Sequence, residues 1–425
     1  MNKNFTLFIL AAMVLGTLAG IAIHHLLPDP AAQQGWADNF KIVTDVFLRL
    51  IKMIIAPLVF ATLVAGIAHF GDTSALGRVG LKTMGWFLAA SLVSLALGAV
   101  IVSILQPGHG LALPLPPVDA DAGIKTSSFT LKDFITHLVP KSIVEAMANN
   151  EILQIVVFSI FFGVAVAAMG PQGKPLADLA EQVSQAMLKL TGYVMSVAPV
   201  AVFAAVAAVI ATKGLSVILV YGAFIGGFFL ALAILWALLL GAGFIIIGPR
   251  IIELIQRIRE PTLLAFSTAS SEAAYPKTLE QLEKFGVSRK ISSFVLPLGY
   301  SFNLDGSMMY CTFATLFIAQ AYGITLTVPQ IATMLLLLMV TSKGMAGVPR
   351  ASLVVIAATL SFFKIPEAGI LIILAVDHFL DMGRSATNVV GNSVASVVVA
   401  KWEGALGATE EDEPAPAAVF LCPIG

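Results

Sequence analysis

The chain alternates long apolar runs with short polar breaks. A hydrocarbon core of about 30 Å is crossed by about 20 helical residues. Runs of that length lie near 5–27, 43–70, 83–105, 151–170, 193–212, 217–247, 291–322 and 366–400. The pattern predicts about eight spanning helices. The runs are continuous rather than alternating, which excludes a transmembrane β-barrel. The run 5–27 is too long for the apolar core of a secretory signal, and no clear small-residue cleavage site follows, so a first span is expected there. The stretch 107–150, with Pro107, Pro114, Pro116, Pro117 and Asp119, reads as an extramembrane excursion. The stretch 171–192 is amphipathic, with Lys174, Asp178, Glu181 and Lys189, and is expected at an interface. Acidic, Pro-rich residues from Glu410 to Pro416 predict a disordered tail.

Two stretches resist the simple spanning pattern. Residues 253–288 have basic flanks at both ends, and their middle, Phe266 to Ser271, is small and hydroxylated. A segment that enters and leaves on one side would look like this, and so would a cytoplasmic loop. Residues 328–363 are apolar but interrupted by Ser342-Lys343-Gly344-Met345-Ala346-Gly347-Val348-Pro349-Arg350. Irregular backbone at membrane depth survives only where it is buried or lines a cavity. Two broken hairpins in the C-terminal half point to a binding site between them.

Composition agrees with a membrane environment. Of 425 residues 58% are hydrophobic and 12% charged, about half the charge a soluble surface carries. Net charge of −1 gives no support for nucleic-acid binding. Cys311 and Cys422 make no metal or redox spacing, and a disulfide between a span and the tail is not expected. The absence of a zinc motif or a convincing Ser-His or Ser-Lys pair argues against an enzyme. With the N-terminus cytoplasmic, Arg78, Lys82, Lys174, Lys189, Arg250, Arg257, Arg259, Lys284, Arg289, Lys290 and Lys401 all fall inside. Both termini are then cytoplasmic and 107–150 lies outside.

Polar residues inside the spans carry the chemistry. The segment from Pro297 through Gly299, Ser301, Asn303 and Asp305 to Ser307 breaks an apolar run. Unwinding frees backbone carbonyls, and hard cations bind such oxygens together with Asp and Asn side chains. An unpaired Asp305 at mid-membrane would cost roughly 3 kcal/mol or more. A kinked helix with Asp305 paired for packing is the plainer alternative. In the last span Asp377, Asp381, Arg384, Ser385, Asn388 and Asn392 fall within an arc of about 100°. Asp381 and Arg384, three apart, can pair with each other. They also complement a zwitterion carrying an extra acid: Arg384 grips a carboxylate and Asp381 accepts an ammonium. His378 lies off this face. His24 and His25 end a span and read as interfacial. Glu272 is either a titrating group or a surface acid, and Arg350 is either a second carboxylate contact or, the plainer reading, a surface charge at the gate.

Ser270-Ser271-Glu272, Asn303-Leu304-Asp305-Gly306-Ser307, Gly344-Met345-Ala346-Gly347-Val348-Pro349 and Asp381-Met382-Gly383-Arg384-Ser385 occur in this order. Together they resemble the dicarboxylate/amino acid:cation symporter family, the glutamate-transporter homologues, over nearly the whole chain. The bacterial proton/glutamate–aspartate members look closest.

The resemblance implies an all-α membrane fold of eight spanning helices, two re-entrant helical hairpins at 253–288 and 328–363, and inverted repeats. It implies a homotrimer in the cell inner membrane, with an elevator-like transport domain moving against a scaffold. The scaffold would comprise 1–82 and 107–214, the transport domain 83–106 and 215–404, and 405–425 the disordered tail. Arg384 would bind the substrate's side-chain carboxylate, Asp381 its amino group, and Ser385 and Asn388 would complete that face. Ser270, Ser271, Gly347 and Val348 would contact substrate from the hairpin tips. Relatives that carry C4-dicarboxylates lack an acid at the position of Asp381, so glutamate or aspartate is the expected substrate.

For the coupling ion, Gly299, Ser301, Asn303, Asp305 and Asn392 are the cation candidates. This chain departs from the sodium pattern, with Asn392 in place of an Asp and Phe87 and Ala90 in place of Tyr and Thr. Only Ser91 keeps a hydroxyl there. A phenyl ring and a methyl group cannot act as oxygen ligands, which favours protons, although Asn303 and Asp305 still offer a sodium site. The family's proton-bearing Glu falls at Cys311, so Glu272, Asp305 and Asp381 are left as proton carriers. Ala269 stands where some relatives have an Arg, which leaves Asp381 without that partner. No other cofactor is expected.

Overall fold

The computed structural model describes residues 4–68, 73–109, 139–214, 221–342, 351–374 and 376–407. Within them the chain is helical, and the only β-type pairing is an isolated bridge between Val287 and Leu406. The acidic tail, most of the 107–150 excursion and the interruption at 343–350 lie outside the described residues, and with them Gly347, Val348, Arg350 and Cys422.

Sixteen α-helices are described. The first seven are α1 (Asn4–Leu26), α2 (Pro30–Ala68), α3 (Thr73–Leu105), the short α4 (Ile143–Ala148), α5 (Ile152–Ala168), α6 (Lys174–Met195) and α7 (Ala198–Lys213). Next come α8 (Gly222–Ile247), α9 (Arg250–Thr268), α10 (Ser271–Phe285), α11 (Arg289–Phe302) and α12 (Asp305–Ala321). The last are α13 (Val328–Thr341), α14 (Ala351–Phe362), α15 (Ile370–Leu374) and α16 (Asp377–Trp402). Local chemistry sets several boundaries. The Asp29 carboxylate accepts the Ala31 N–H at 3.0 Å, and Pro30, which has no N–H to satisfy, opens α2. Gly248, at φ 65°, ends α8 in the left-handed region that glycine enters at least cost.

Among the described residues four helices are long and apolar enough to cross a membrane unaided: Leu7–Leu26, Pro30–Ala68, Gly77–Leu105 and Gly222–Ile247. A fifth results if Lys174–Met195 and Ala198–Thr212, bent by 53°, form one span. Large apolar side chains on these helices face outward, including Leu7, Val14, Leu18, Leu81, Leu92 and Ile104. That is the surface expected in contact with lipid.

Several boundaries differ from the hydropathy reading. α3 begins at Thr73, so the expected division at 82/83 falls inside a continuous helix. The amphipathic stretch and the start of the next apolar run share α6, which packs along α2. The run 291–322 is two helices, and 366–400 resolves into α15 and α16. Hydropathy averages over such breaks because a residue or two of unwound backbone changes no side chain's polarity.

Two packing groups emerge. α1 lies on α7, and α2 on α5, α6 and α7. Separately, α3 lies on α12, and α16 packs against α8, α9, α11 and α12. Residues 383–400 of α16 are all buried, polar ones included, so this helix is an axis of the second group. α9 and α10 pack on each other as a helical hairpin within 253–288. Ala269, at φ 50° and ψ 37°, makes its tip, and the Ser270 hydroxyl accepts the Ala273 N–H at 3.3 Å to start the return helix. α13 and α14 also pack on each other.

Candidate functional site

The α11–α12 break and the polar face of α16 meet in the core of the second group. α11 ends at Phe302, Asn303 and Leu304 leave helical geometry, and α12 restarts at Asp305. Close approach is needed here: a Cβ on Gly306 would stand 2.6 Å from the Arg384 carbonyl oxygen.

One polar cluster lies at the break. Asn303, Asp305, Asn392 and Ser94 are each 0% exposed. Asn303 Nδ2 donates to Asp305 Oδ2 at 3.0 Å and to Asn392 Oδ1 at 3.1 Å. Ser94 Oγ of α3 donates to Asp305 Oδ1 at 3.3 Å, and Ser91 Oγ to the Phe302 carbonyl at 3.5 Å. Phe87 is buried and presents no oxygen. Asn303 Oδ1, Ser301 Oγ and Asn392 Nδ2 are buried without a hydrogen-bond partner among the described residues. Such atoms call for a bound water or ion. The idle oxygen of Asn303, whose amide nitrogen bonds Asp305, suits a small hard cation, whereas Asn392 brings a neutral amide. Gly299 leaves room for that amide, since a Cβ there would lie 2.3 Å from Asn392 Oδ1.

The second cluster centres on Arg384, 2% exposed. Its Nη2 lies 3.2 Å from Asp377 Oδ1 and 2.9 Å from Asp381 Oδ1. The guanidinium stacks over the Tyr310 ring at 4.1 Å, and Tyr310 Oη donates to Asp377 Oδ1 at 3.0 Å. Arg384 Nε and Nη1 have no hydrogen-bond partner among the described residues. A buried guanidinium with two idle nitrogens is arranged to receive an anion. Asp377 is 5% exposed as a residue, whereas the Asp381 side chain is 37% exposed and reaches solvent.

The expected site residues are thus divided between two clusters. Asn388 Oδ1 accepts the Gly306 N–H at 2.9 Å, and its Nδ2 donates to Ser307 Oγ at 3.2 Å. Asn388 therefore ties down the free first turn of α12 in addition to any contact with a ligand. Ser385 is buried beside Arg384. Ser270, Ser271 and Glu272 stand at the α9–α10 tip, and α10 packs on α16. Glu272 is half-buried. His378 is exposed, off the polar face as its position suggested. Cys311 is a free buried thiol of α12. Sequence reading placed Asp377 on the polar face of the last span but gave it no role; it stands seven residues before Arg384, a two-turn spacing that lets the two pair on that face. Tyr310 leaves no local signal, because its ring reaches Arg384 only through helix packing.

The sequence pattern of the sodium:dicarboxylate symporter family matches residues 5–402. A C4-dicarboxylate transport protein of Laribacter hongkongensis is 39% identical over 415 residues, 96% of this chain and 93% of the relative. A proton/sodium-glutamate symport protein of Bacillus caldotenax is 38% identical over 401 residues, 93% of this chain and 94% of the relative. A C4-dicarboxylate transport protein of Agrobacterium fabrum is 39% identical, covering 93% of this chain and 88% of the relative.

Proposed function

Since the chain belongs to the sodium:dicarboxylate symporter family, we propose that it imports an acidic amino acid, glutamate or aspartate, together with protons. The observation that carries this reading is the pairing, on one helix face, of half-exposed Asp381 with buried Arg384, whose Nε and Nη1 have no hydrogen-bond partner among the described residues. Arg384 takes the side-chain carboxylate and Asp381 takes the ammonium. Ser385 and Asn388, with Ser270, Ser271, Gly347 and Val348 at the hairpin tips, complete the substrate site. A C4-dicarboxylate has no ammonium, and docking one would leave Asp381 facing an anion.

Charge balance favours symport. Asp377 and Asp381 against Arg384 leave one negative charge in the site, and an acidic amino acid adds another. Closing two excess negative charges into a low-dielectric interior is prohibitive unless cations or protons enter with them. Asn392, Phe87 and Ala90 weaken sodium ligation, which favours protons. Glu272, Asp305 and Asp381 are the proton candidates that sequence reading left open.

The two packing groups support a static scaffold (1–82 and 107–214) and a moving transport domain (83–106 and 215–404), with the first boundary better placed before Thr73. We place the chain as a homotrimer in the cell inner membrane, with eight spans, two re-entrant hairpins and both termini cytoplasmic.

Two second readings have specific support. The C4-dicarboxylate relatives favour succinate-like substrates. The Asn303 oxygen, unpartnered among the described residues next to Asp305, favours sodium.

Labelled aspartate uptake into proteoliposomes, under a proton or a sodium gradient imposed separately, tests the proposal. Proton-driven accumulation in sodium-free buffer, lost in Arg384→Ala, is the expected result. A strict sodium requirement overturns the coupling assignment. Uptake of succinate in place of aspartate overturns the role of Asp381.

A further inference from the structure

We propose that Asp377 carries a coupling proton, taking it up when the substrate carboxylate displaces it from Arg384. The inference rests on the proton-coupled reading above and assigns a proton to a group outside the three candidates named there.

The geometry of a guanidinium sets up the competition. A carboxylate can be gripped bidentately along two edges, Nε with Nη2 or Nη1 with Nη2. Both edges use Nη2. In this structure Nη2 is the nitrogen that holds Asp377 and Asp381, while Nε and Nη1 stand idle among the described residues. An arriving carboxylate finds one half of either fork free and must take the other half from the resident acids.

The two acids meet different fates. Asp381 is 37% exposed at its side chain and has the substrate ammonium as a new partner. Asp377 is buried and sits at the first turn of α16, where Arg384 is its ion-pair partner among the described residues. Around it, among the described residues, stand Tyr310 and Cys311 of α12 and Arg384 and Asp381 of its own helix; neighbouring His378 is exposed. Arg384 is the cation of this set. When Arg384 turns to the substrate, Asp377 keeps, among the described residues, the Tyr310 hydroxyl, a neutral donor. A buried carboxylate deprived of its cation is driven toward its neutral form. One O–H bond forms on Asp377 as one breaks on a hydronium ion of the outside solution. The reverse exchange follows inside, when the substrate leaves and Arg384 returns to Asp377. Substrate and proton are thereby linked through one nitrogen.

The test uses the full chain in proteoliposomes and reads protons imported per aspartate with a trapped pH dye. The wild type is expected to import protons with aspartate. Asp377→Asn is expected to import one fewer per aspartate, with the pH dependence of aspartate affinity flattened. Tyr310→Phe removes the donor that favours charged Asp377. It should move the midpoint of the affinity–pH profile upward while leaving the proton count unchanged. An unaltered proton count in Asp377→Asn overturns the assignment. Should Asp377→Asn fail to insert, an unmoved pH profile in Tyr310→Phe overturns it instead. A wild type that imports aspartate without protons overturns the proton-coupled reading itself, and the two failures are thus told apart.

Discussion

A Cβ placed on Gly391 of α16 would stand 2.0 Å from Asp305 Oδ2 of α12. The closeness explains how a carboxylate with no exposure fits between two helices: the glycine is the space it occupies. Gly391→Ala must push the carboxylate or the helix aside, and overpacking of this kind costs about 1–3 kcal/mol. We expect uptake to be lost while the protein still inserts, with a lowered thermal midpoint in detergent. Normal uptake by Gly391→Ala would show that the position of Asp305 is immaterial.

Arg384→Lys separates charge from shape. Lysine keeps the positive charge but offers a point donor in place of a fork. Loss of one charge-assisted hydrogen bond costs about 1.5–3 kcal/mol, so aspartate affinity should fall roughly 10- to 100-fold. Competition against labelled aspartate measures it.

Asp381→Asn removes the partner of the substrate ammonium. Aspartate affinity should drop about tenfold or more, in line with the loss of a charge-assisted bond, and succinate should gain as a competitor. An unchanged aspartate-to-succinate ratio would sink the role given to Asp381.

Acid should loosen the junction of α3 and α16. Glu403 is bridged by Arg78 at 3.0 Å and Lys82 at 2.6 Å, while Lys82 also donates to the Trp402 carbonyl. Burial pushes the Glu403 carboxyl up, but the two cations outweigh it and hold it below the usual carboxylate range. A group depressed in the folded state adds stability above its unfolded pKa and loses it as pH falls through the folded value. Thermal midpoints in detergent should therefore decline from about pH 5 downward, and Glu403→Gln should remove part of that decline.

Arg289 of α11 binds Glu181 and the Ser184 hydroxyl of α6, joining the two packing groups. If those groups slide past each other in each cycle, this ion pair must open. Arg289→Gln should raise turnover at saturating aspartate and leave apparent affinity within about twofold, since exposed and half-buried pairs contribute little to ground-state binding. A changed affinity with unchanged turnover would argue against sliding at this contact.

The sequence by itself determined the solvent of this protein and the places where its helices fail. An apolar run reports membrane residence because each side chain partitions independently. The hairpin tip at Ala269 and Ser270 and the break at Asn303 were legible because glycine, proline, hydroxyl and carboxylate residues within apolar runs mark lost helix locally. The pairing of Asp381 with Arg384 was legible for the same reason, being three residues apart on one helix. Tertiary structure alone decided the rest. Tyr310 reaches Asp377 across 67 positions and Asn303 reaches Asn392 across 89. Asn388, expected to face a ligand, is held by the first turn of α12. Hydropathy records which surfaces leave water but not which helices they meet. The chemistry of a buried charge depends on that meeting, because its partner is chosen by packing between helices distant in the chain.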